Sequence, residues 1–345
     1  MPVSDTLDLT PTSAVVALDV GGTFVKWLVA DHTGVLRKGT SPTHAEAGPD
    51  RAFEVVLETV DLALAAVPPS HTAVGVGVAV PGTVDERRGV CVHSENLGWR
   101  DLPVARHLRE HTDLPVGFGH DVRTGAAAEW QLGAGRGVAD QAYVSVGTGL
   151  AAALLLDGRP VSSGGYAGEI GHGGALDGEP CACGGRGCAE TVASAAAIAR
   201  RYTAASGATV DGARGVLARA LTGDEVARRV WDDAVEVLSA LVADLIRVTG
   251  VAHVVVGGGL VHAGDALLTP LRERVRARLT VHPAPRIVPA ALGGSAGSWG
   301  AALLGWRAAG ADLASIVAAY ADAARRPDEP SPRTSGPSFR QRSAQ

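Results

Sequence analysis

Lysine is nearly missing from this chain: Lys26 and Lys38 are its only two among 31 basic residues, the rest being arginine. Acidic residues number 36, so the formal charge is −5, and no basic excess offers itself to a polyanion such as nucleic acid. Aromatic residues are scarce too, at 4%, while the 46% hydrophobic content is mostly Ala, Val and Leu. Such thin side chains suit tightly packed helix-on-sheet layers. No apolar run approaches the roughly 18–20 residues that span a bilayer. Met1 to Thr12 show neither the charged nor the apolar segment of a secretion signal. A globular cytoplasmic protein without membrane or nucleic-acid partners is expected. Cysteine is sparse as well, with four residues, three of them inside the short segment Cys181 to Cys188. In a reducing compartment such a cluster reads as a metal site before a disulfide framework.

What is present alternates strand and helix, over a length sufficient for two domains. Ala14 to Asp19, Val25 to Asp31 and Val35 to Gly39 read as three strands joined by glycine turns, a meander rather than a βαβ unit. A helix over about 50–66, a buried strand Val74 to Val80, a strand Val116 to Gly119 and a helix from Val122 to Leu132 follow. The opening theme then recurs, with Gln141 to Val146, a glycine turn, and Leu150 to Leu156. Beyond it come helices over Glu190 to Ala204 and Asp224 to Gly250, a strand Val251 to Val256, and helices after Gly264, over 295–309 and over 312–324. The start of the chain, the acidic turn at Asp85 to Arg88 and the tail from about Arg326 carry too little apolar content to pack.

Three turns follow apolar strands: Gly21-Gly22-Thr23, Gly147-Thr148-Gly149 and Gly257-Gly258-Gly259. Backbone N–H groups in such turns converge on phosphate oxygens without side-chain obstruction. Any one of them alone is equally an ordinary tight turn. Asp19, closing the first strand, suits a water-mediated contact to Mg²⁺ or a turn cap. Gly147-x-Gly149-x-x-Ala152 also matches the dinucleotide fingerprint, but that motif must open a helix, and here the glycines enter Leu150 to Leu156, the second arm of a hairpin.

His172, Cys181, Cys183 and Cys188 give H-x8-C-x-C-x4-C, a closed set of three thiolates and an imidazole that suits structural Zn²⁺. Gly184, Gly185 and Gly187 let the loop turn tightly around an ion. Cys91 stands apart and reads as a buried thiol.

These segments resemble the ROK family of bacterial sugar kinases and related repressors. The resemblance is carried by ALDVGGTFVKW (17–27), GVGVAVPGTVD (75–85), ENLGW (95–99), HDVRTGAAAEW (120–130), SVGTGLAAALLLDG (145–158), GYAGEIGHGG (165–174), CACGGRGCAE (181–190) and VVVGGGL (254–260). It implies an α/β, two-domain sugar kinase/actin-like (ribonuclease H-like) fold with a zinc-binding loop. The expected division is a first domain over 13–120 completed by C-terminal helices at about 300–325, a second over 121–299, and a disordered tail over 326–345. The implied activity is ATP- and Mg²⁺-dependent phosphorylation of a hexose or amino-hexose, by a chain that forms a homodimer. By position Asp121 matches the general base, while Glu169, His172 and Glu190 match ligands of sugar hydroxyls, with His172 meeting zinc through its other ring nitrogen. Each also has a plainer role, Asp121 as a helix cap and Glu190 as a favourable charge at a helix start. Asn96 contacts the sugar or caps a turn.

One position departs from the family pattern. Where the family carries Asn ahead of the catalytic Asp, this chain has His120. A neutral imidazole offers one donor and one acceptor with a different reach. His120 thus either serves glucose as Asn would, or accepts from an amino group in place of a ring hydroxyl. A sugar-responsive repressor is the rival reading, but it needs a DNA-reading module, and only about 13 residues precede the first expected strand. A zinc dehydrogenase would need an open metal position and a dinucleotide fold. Polyphosphate as donor would call for an Arg- or Lys-lined groove, and no such run stands out.

Overall fold

The structure, a computed structural model, describes residues 10–173 and 178–323. The expected disordered tail and most of the N-terminal segment lie outside the described residues. In chain order the elements are β1 (Ser13–Val20), β2 (Phe24–Asp31), β3 (Gly34–Pro42), α1 (Pro49–Ala65), β4 (Thr72–Val80), β5 (Thr83–Asp85), β6 (Val90–Ser94), β7 (Trp99–Leu102), α2 (Val104–His111) and β8 (Val116–His120). There follow α3 (Asp121–Leu132), β9 (Gln141–Val146), β10 (Leu150–Leu156), β11 (Arg159–Pro160), α4 (Glu190–Ala193), α5 (Ala195–Ser206), α6 (Gly212–Leu221), α7 (Glu225–Thr249), β12 (His253–Gly257), α8 (Asp265–Arg278) and β13 (Arg286–Pro289). The described chain closes with α9 (Ala296–Ala308) and α10 (Leu313–Ala323).

Two five-stranded sheets organise the molecule, ordered β3-β2-β1-β4-β8 and β11-β10-β9-β12-β13. Each has a strand paired antiparallel on one side and parallel on the other: β1 between β2 and β4, and β9 between β10 and β12. β1 reads as a nearly unbroken apolar run because both faces of its sheet are covered. Successive side chains alternate between faces, so Ala14, Val16 and Leu18 join the α1 core while Val15 and Ala17 join the α9 core.

Helix α9 returns from the second sheet to lie on the first, at backbone contact. A Cβ on Gly77 of β4 would stand 1.8 Å from the Ala301 carbonyl oxygen, and one on Gly300 would stand 2.1 Å from the Thr124 carbonyl oxygen of α3. Only glycine allows approaches this close, which accounts for the small-residue composition of both segments. Trp306 then anchors the helix, its indole N–H donating to the Tyr320 hydroxyl of α10 at 2.7 Å.

The backbone crosses between the sheets along α3 and again between β13 and α9. Buried Glu129 of α3 fastens both crossings. Its carboxylate accepts from the backbone N–H groups of Ala134 (2.8 Å), Ala291 (3.0 Å) and Leu292 (2.7 Å). A carboxylate has lone pairs enough for all three.

Two expectations change. The acidic turn after Thr83 is not poorly packed: β5, β6 and β7 form a third small sheet, and Glu86 pairs at 3.1 Å with the buried Arg123 guanidinium. The helix expected over Glu190 to Ala204 is interrupted at Ser194, whose backbone is extended (φ −71, ψ 154) and whose hydroxyl accepts from Ala197 N–H, capping α5. A serine inside a helical run serves as such a cap because its hydroxyl replaces a missing backbone acceptor.

Candidate active site

A cleft of about 490 Å³ opens between the lobes. Its lining brings together Gly21, Gly22, Asn96, His120, Asp121, Gly147, Thr148, Gly149, Glu169, His172, Cys183 and Glu190, which sit far apart in the chain. Asp121 is the first residue of α3, and its Oδ1 accepts from the Val122 N–H at 2.7 Å. Burial, and next the Asp19 charge, push its carboxyl up to about 7, with Val122 N–H and Arg123 opposing. Glu169 is also pushed up, chiefly by burial. Asp19 lies behind the cleft lining, raised by burial and opposed by Lys26 at 3.9 Å. Asp121 and Glu169 present carboxylate oxygens at the cleft wall, with Asp19 near enough to Asp121 to raise it. That donor chemistry fits Mg²⁺.

Two of the three glycine turns reach the cleft. Gly147 N–H donates to Gly149 O at 2.9 Å, closing the second turn. Glu190 locks that turn: its Oε2 accepts from Leu150 N–H at 2.8 Å, and a Cβ on Gly149 would stand 2.7 Å from it. The first turn is closed by Gly21 N–H to Phe24 O at 2.9 Å, while the side chain of Thr43 donates to Gly21 O at 2.7 Å. Thr23, Gly257, Gly258 and Gly259 are not in the cleft wall. Gly257 has a different reason for its identity, since a Cβ there would lie 2.0 Å from the Tyr143 hydroxyl, which fills the space beneath the turn.

The four expected metal ligands converge. Their ligand atoms all lie within 4.8 Å of one another, with Cys183 Sγ to Cys188 Sγ at 3.6 Å and Cys181 Sγ to His172 Nδ1 at 3.7 Å. Bonds of about 2.3 Å to sulfur in a tetrahedral array put ligand atoms roughly 3.8 Å apart, so the set fits Zn²⁺. The other ring nitrogen of His172, Nε2, faces Glu169 at 4.0 Å. The metal cluster and the cleft therefore share one imidazole. Cys91 takes no part; it is buried and its thiol is pushed up to about 12 by desolvation.

Several residues that sequence reasoning missed complete the site. Arg123, 5% exposed, donates to the carbonyls of Val84 (2.8 Å), Gly165 (3.4 Å) and Ala167 (3.5 Å) as well as to Glu86. One guanidinium thus ties the helix bearing Asp121 to β5 and to the loop bearing Glu169, a use of its fixed fork of donors. His93 and Ser94 of β6 and Ser145 of β9 also line the cleft.

Two α/β lobes, each opening with a strand–glycine-turn–strand unit and closing on a cleft with a buried carboxylate, constitute the sugar-kinase fold. Within that class the chain belongs to the ROK family, whose signature spans residues 15–307. It is 33% identical over 282 residues to a glucokinase of Halalkalibacterium halodurans, covering 76% of this chain and 85% of that one. Among solved structures it resembles a ROK hexokinase from Thermus thermophilus, with a TM-score of 0.72 and 34% identity over 85% of this chain and 98% of the other. It also resembles a ROK family glucokinase from Streptomyces griseus, solved with glucose and AMPPNP, with a TM-score of 0.74 and 28% identity over 85% and 99% of the two chains.

Proposed function

We propose that the protein is an ATP-dependent hexose kinase that phosphorylates the 6-hydroxyl of glucose or a glucose-like sugar in the cytoplasm, with Asp121 as general base. The observation that carries this reading is a desolvated carboxyl, pushed up to about 7, in a cleft lined by glycine turns and by the polar side chains of Glu169, His172 and Glu190, to which we assign the sugar hydroxyls. A base poised near neutrality accepts a hydroxyl proton without being permanently protonated. The sugar O6 forms its bond to the γ-phosphorus as the bond from that phosphorus to the β,γ-bridging oxygen breaks. The proton passes to Asp121, and ADP leaves with the bond electrons. The turns at Gly21–Gly22 and Gly147–Gly149, which line the cleft, would receive the phosphate oxygens, and Gly257–Gly259 stand outside that wall. Mg²⁺, held through Asp19, supplies neutralising charge to the phosphates when bound. Zn²⁺ on His172 Nδ1, Cys181, Cys183 and Cys188 serves to fix the loop that presents Glu169. Residues 13–120, completed by the C-terminal helices from about 300, form one lobe and 121–299 the other, and we expect a homodimer in solution.

An amino-sugar substrate is the second reading, raised by the presence of His120 where the family has Asn. The test is ADP release with Mg·ATP across glucose, mannose, glucosamine, N-acetylglucosamine, N-acetylmannosamine and kanosamine, with Asp121→Asn as the blank. Turnover of glucose that the variant loses is expected. Absence of turnover with every sugar, with ATP and with polyphosphate alike, overturns the enzyme reading in favour of a sugar-responsive regulator.

A further inference from the structure

His120 occupies a constrained position at the junction of β8 and α3. Its ring is 4% exposed, and it is the N-cap of α3, with Nδ1 accepting from the Arg123 N–H at 3.3 Å. A nitrogen that accepts an N–H cannot carry a proton of its own. In a neutral imidazole the proton then sits on the other nitrogen, and the ring's outward face is a donor. That nitrogen, Nε2, stands 3.2 Å from Asp121 Oδ1 at the cleft wall. Asp121 at 3.2 Å would attract a positive charge on the ring, and Arg123 and burial oppose it. Arg123 repels a second positive charge. Glu86, which could attract one, is already engaged by the Arg123 Nε–H and by the backbone N–H of His120, each at 3.1 Å. Burial acts in the same direction, holding the imidazolium form down to a pKa of about 3.

We propose that His120 is a positioning residue whose cap bond to Arg123 fixes it as a donor-only group, with Nε2–H facing Asp121. Two consequences follow for the proposed kinase reaction, on which this part of the inference rests. Nε2–H orients the Asp121 carboxylate and keeps its free oxygen turned toward the attacking hydroxyl. With Nδ1 spent on the Arg123 N–H and the one ring proton directed at Asp121, His120 has no free acceptor to offer an amine. The exchange of Asn for His then conserves function, because an Asn side chain also caps a helix with one atom and donates with another. This reverses the possibility that His120 marks an amino-sugar site by accepting from the amine.

Three measurements test it. Long-range ¹H–¹⁵N correlation on the labelled protein at neutral pH, with His120→Asn to assign the signal, is expected to show Nε2 protonated and Nδ1 bare. An Nδ1–H tautomer or an imidazolium overturns the proposal whether or not the protein phosphorylates any sugar. His120→Ser keeps a capping oxygen but cannot reach Asp121. It is expected to unfold at the wild-type temperature, lose roughly tenfold to hundredfold in kcat, and show a displaced pH profile, with His120→Asn restoring most of the rate. Wild-type kcat and pH profile in His120→Ser overturns it. Finally, His120→Asn is expected to leave the kcat/KM ranking of glucose against its 2-, 3- and 4-amino-deoxy analogues unchanged. A preference for any ammonium sugar that His120→Asn abolishes overturns it.

Discussion

Replacing Asp121 by Asn should stabilise the protein while destroying its activity, and the two effects share one cause. The folded carboxyl titrates at about 7 against an ordinary 3.8, chiefly because burial penalises its charge. Each pH unit of displacement is worth about 1.4 kcal/mol, so ionised Asp121 costs the fold a ceiling of about 4 kcal/mol. The side chain is 30% exposed on the cleft, and water there screens the charge, which brings the expected gain to about 2 kcal/mol. The sign follows from linkage. A carboxyl with a raised folded pKa costs almost nothing below about pH 3, where it is protonated in both states. Its cost grows as pH rises and is complete above about 7. Asp121→Asn should therefore melt about 3 °C above wild type at pH 8 and within about 0.5 °C of it at pH 3. Thermal unfolding across that pH series, without sugar or nucleotide, measures it. A gain of equal size at both pH values, or none at pH 8, refutes the argument that a desolvated charge at this position is held against the fold's own stability.

Three further outcomes are expected. Glu129→Gln leaves one of three backbone N–H groups facing an amide donor and should cost about 1–3 kcal/mol in denaturant unfolding; a loss within error would mean that the clasp is not needed. Gly257→Ala puts a Cβ against the Tyr143 hydroxyl and should cost about 1–3 kcal/mol, whereas Gly259→Ala, with no atom within 4 Å of the added carbon, should stay within about 0.5 kcal/mol of wild type in thermal melts. Metal analysis of the purified chain should find one zinc; its removal by a chelator should lower the melting temperature and raise the sugar KM through Glu169 and His172, and an unchanged KM in the metal-free protein would uncouple the two sites.

Much of this was legible in the residues because the signals were local. Gln141–Val146 and Leu150–Leu156 are strands bounded as the glycine turn between them implies. The Cys3His spacing is close enough in sequence that the loop alone gathers its ligands. What escaped depends on contacts between distant segments. β5, β6 and β7 are three to five residues long and partly polar, so only their pairing with each other marks them as strands. Arg123 on α3 and Glu86 after β5 each look like ordinary surface charges until the fold buries the guanidinium. Gly257 reads as one more phosphate turn because nothing near it in the chain announces the Tyr143 ring. For His120 the sequence supplies the residue, and the cap bond to Arg123 N–H supplies the tautomer.

The seating of α9 also bears on how the chain is made. Val15, Ala17 and Val74 of the first sheet are covered by Ala301, Ala302 and Trp306, so the earliest strands to leave the ribosome wait for nearly the last helix. At about 5–20 residues per second, the stretch from His120 to Ala308 takes roughly 10–40 s to translate. Throughout that interval one face of β1 and β4 is without its native partner. Glycines at 75, 77 and 117 keep that waiting face thin and shallow. The same glycines that admit the helix at the end of synthesis leave less apolar surface for a neighbouring nascent chain to grip before it arrives.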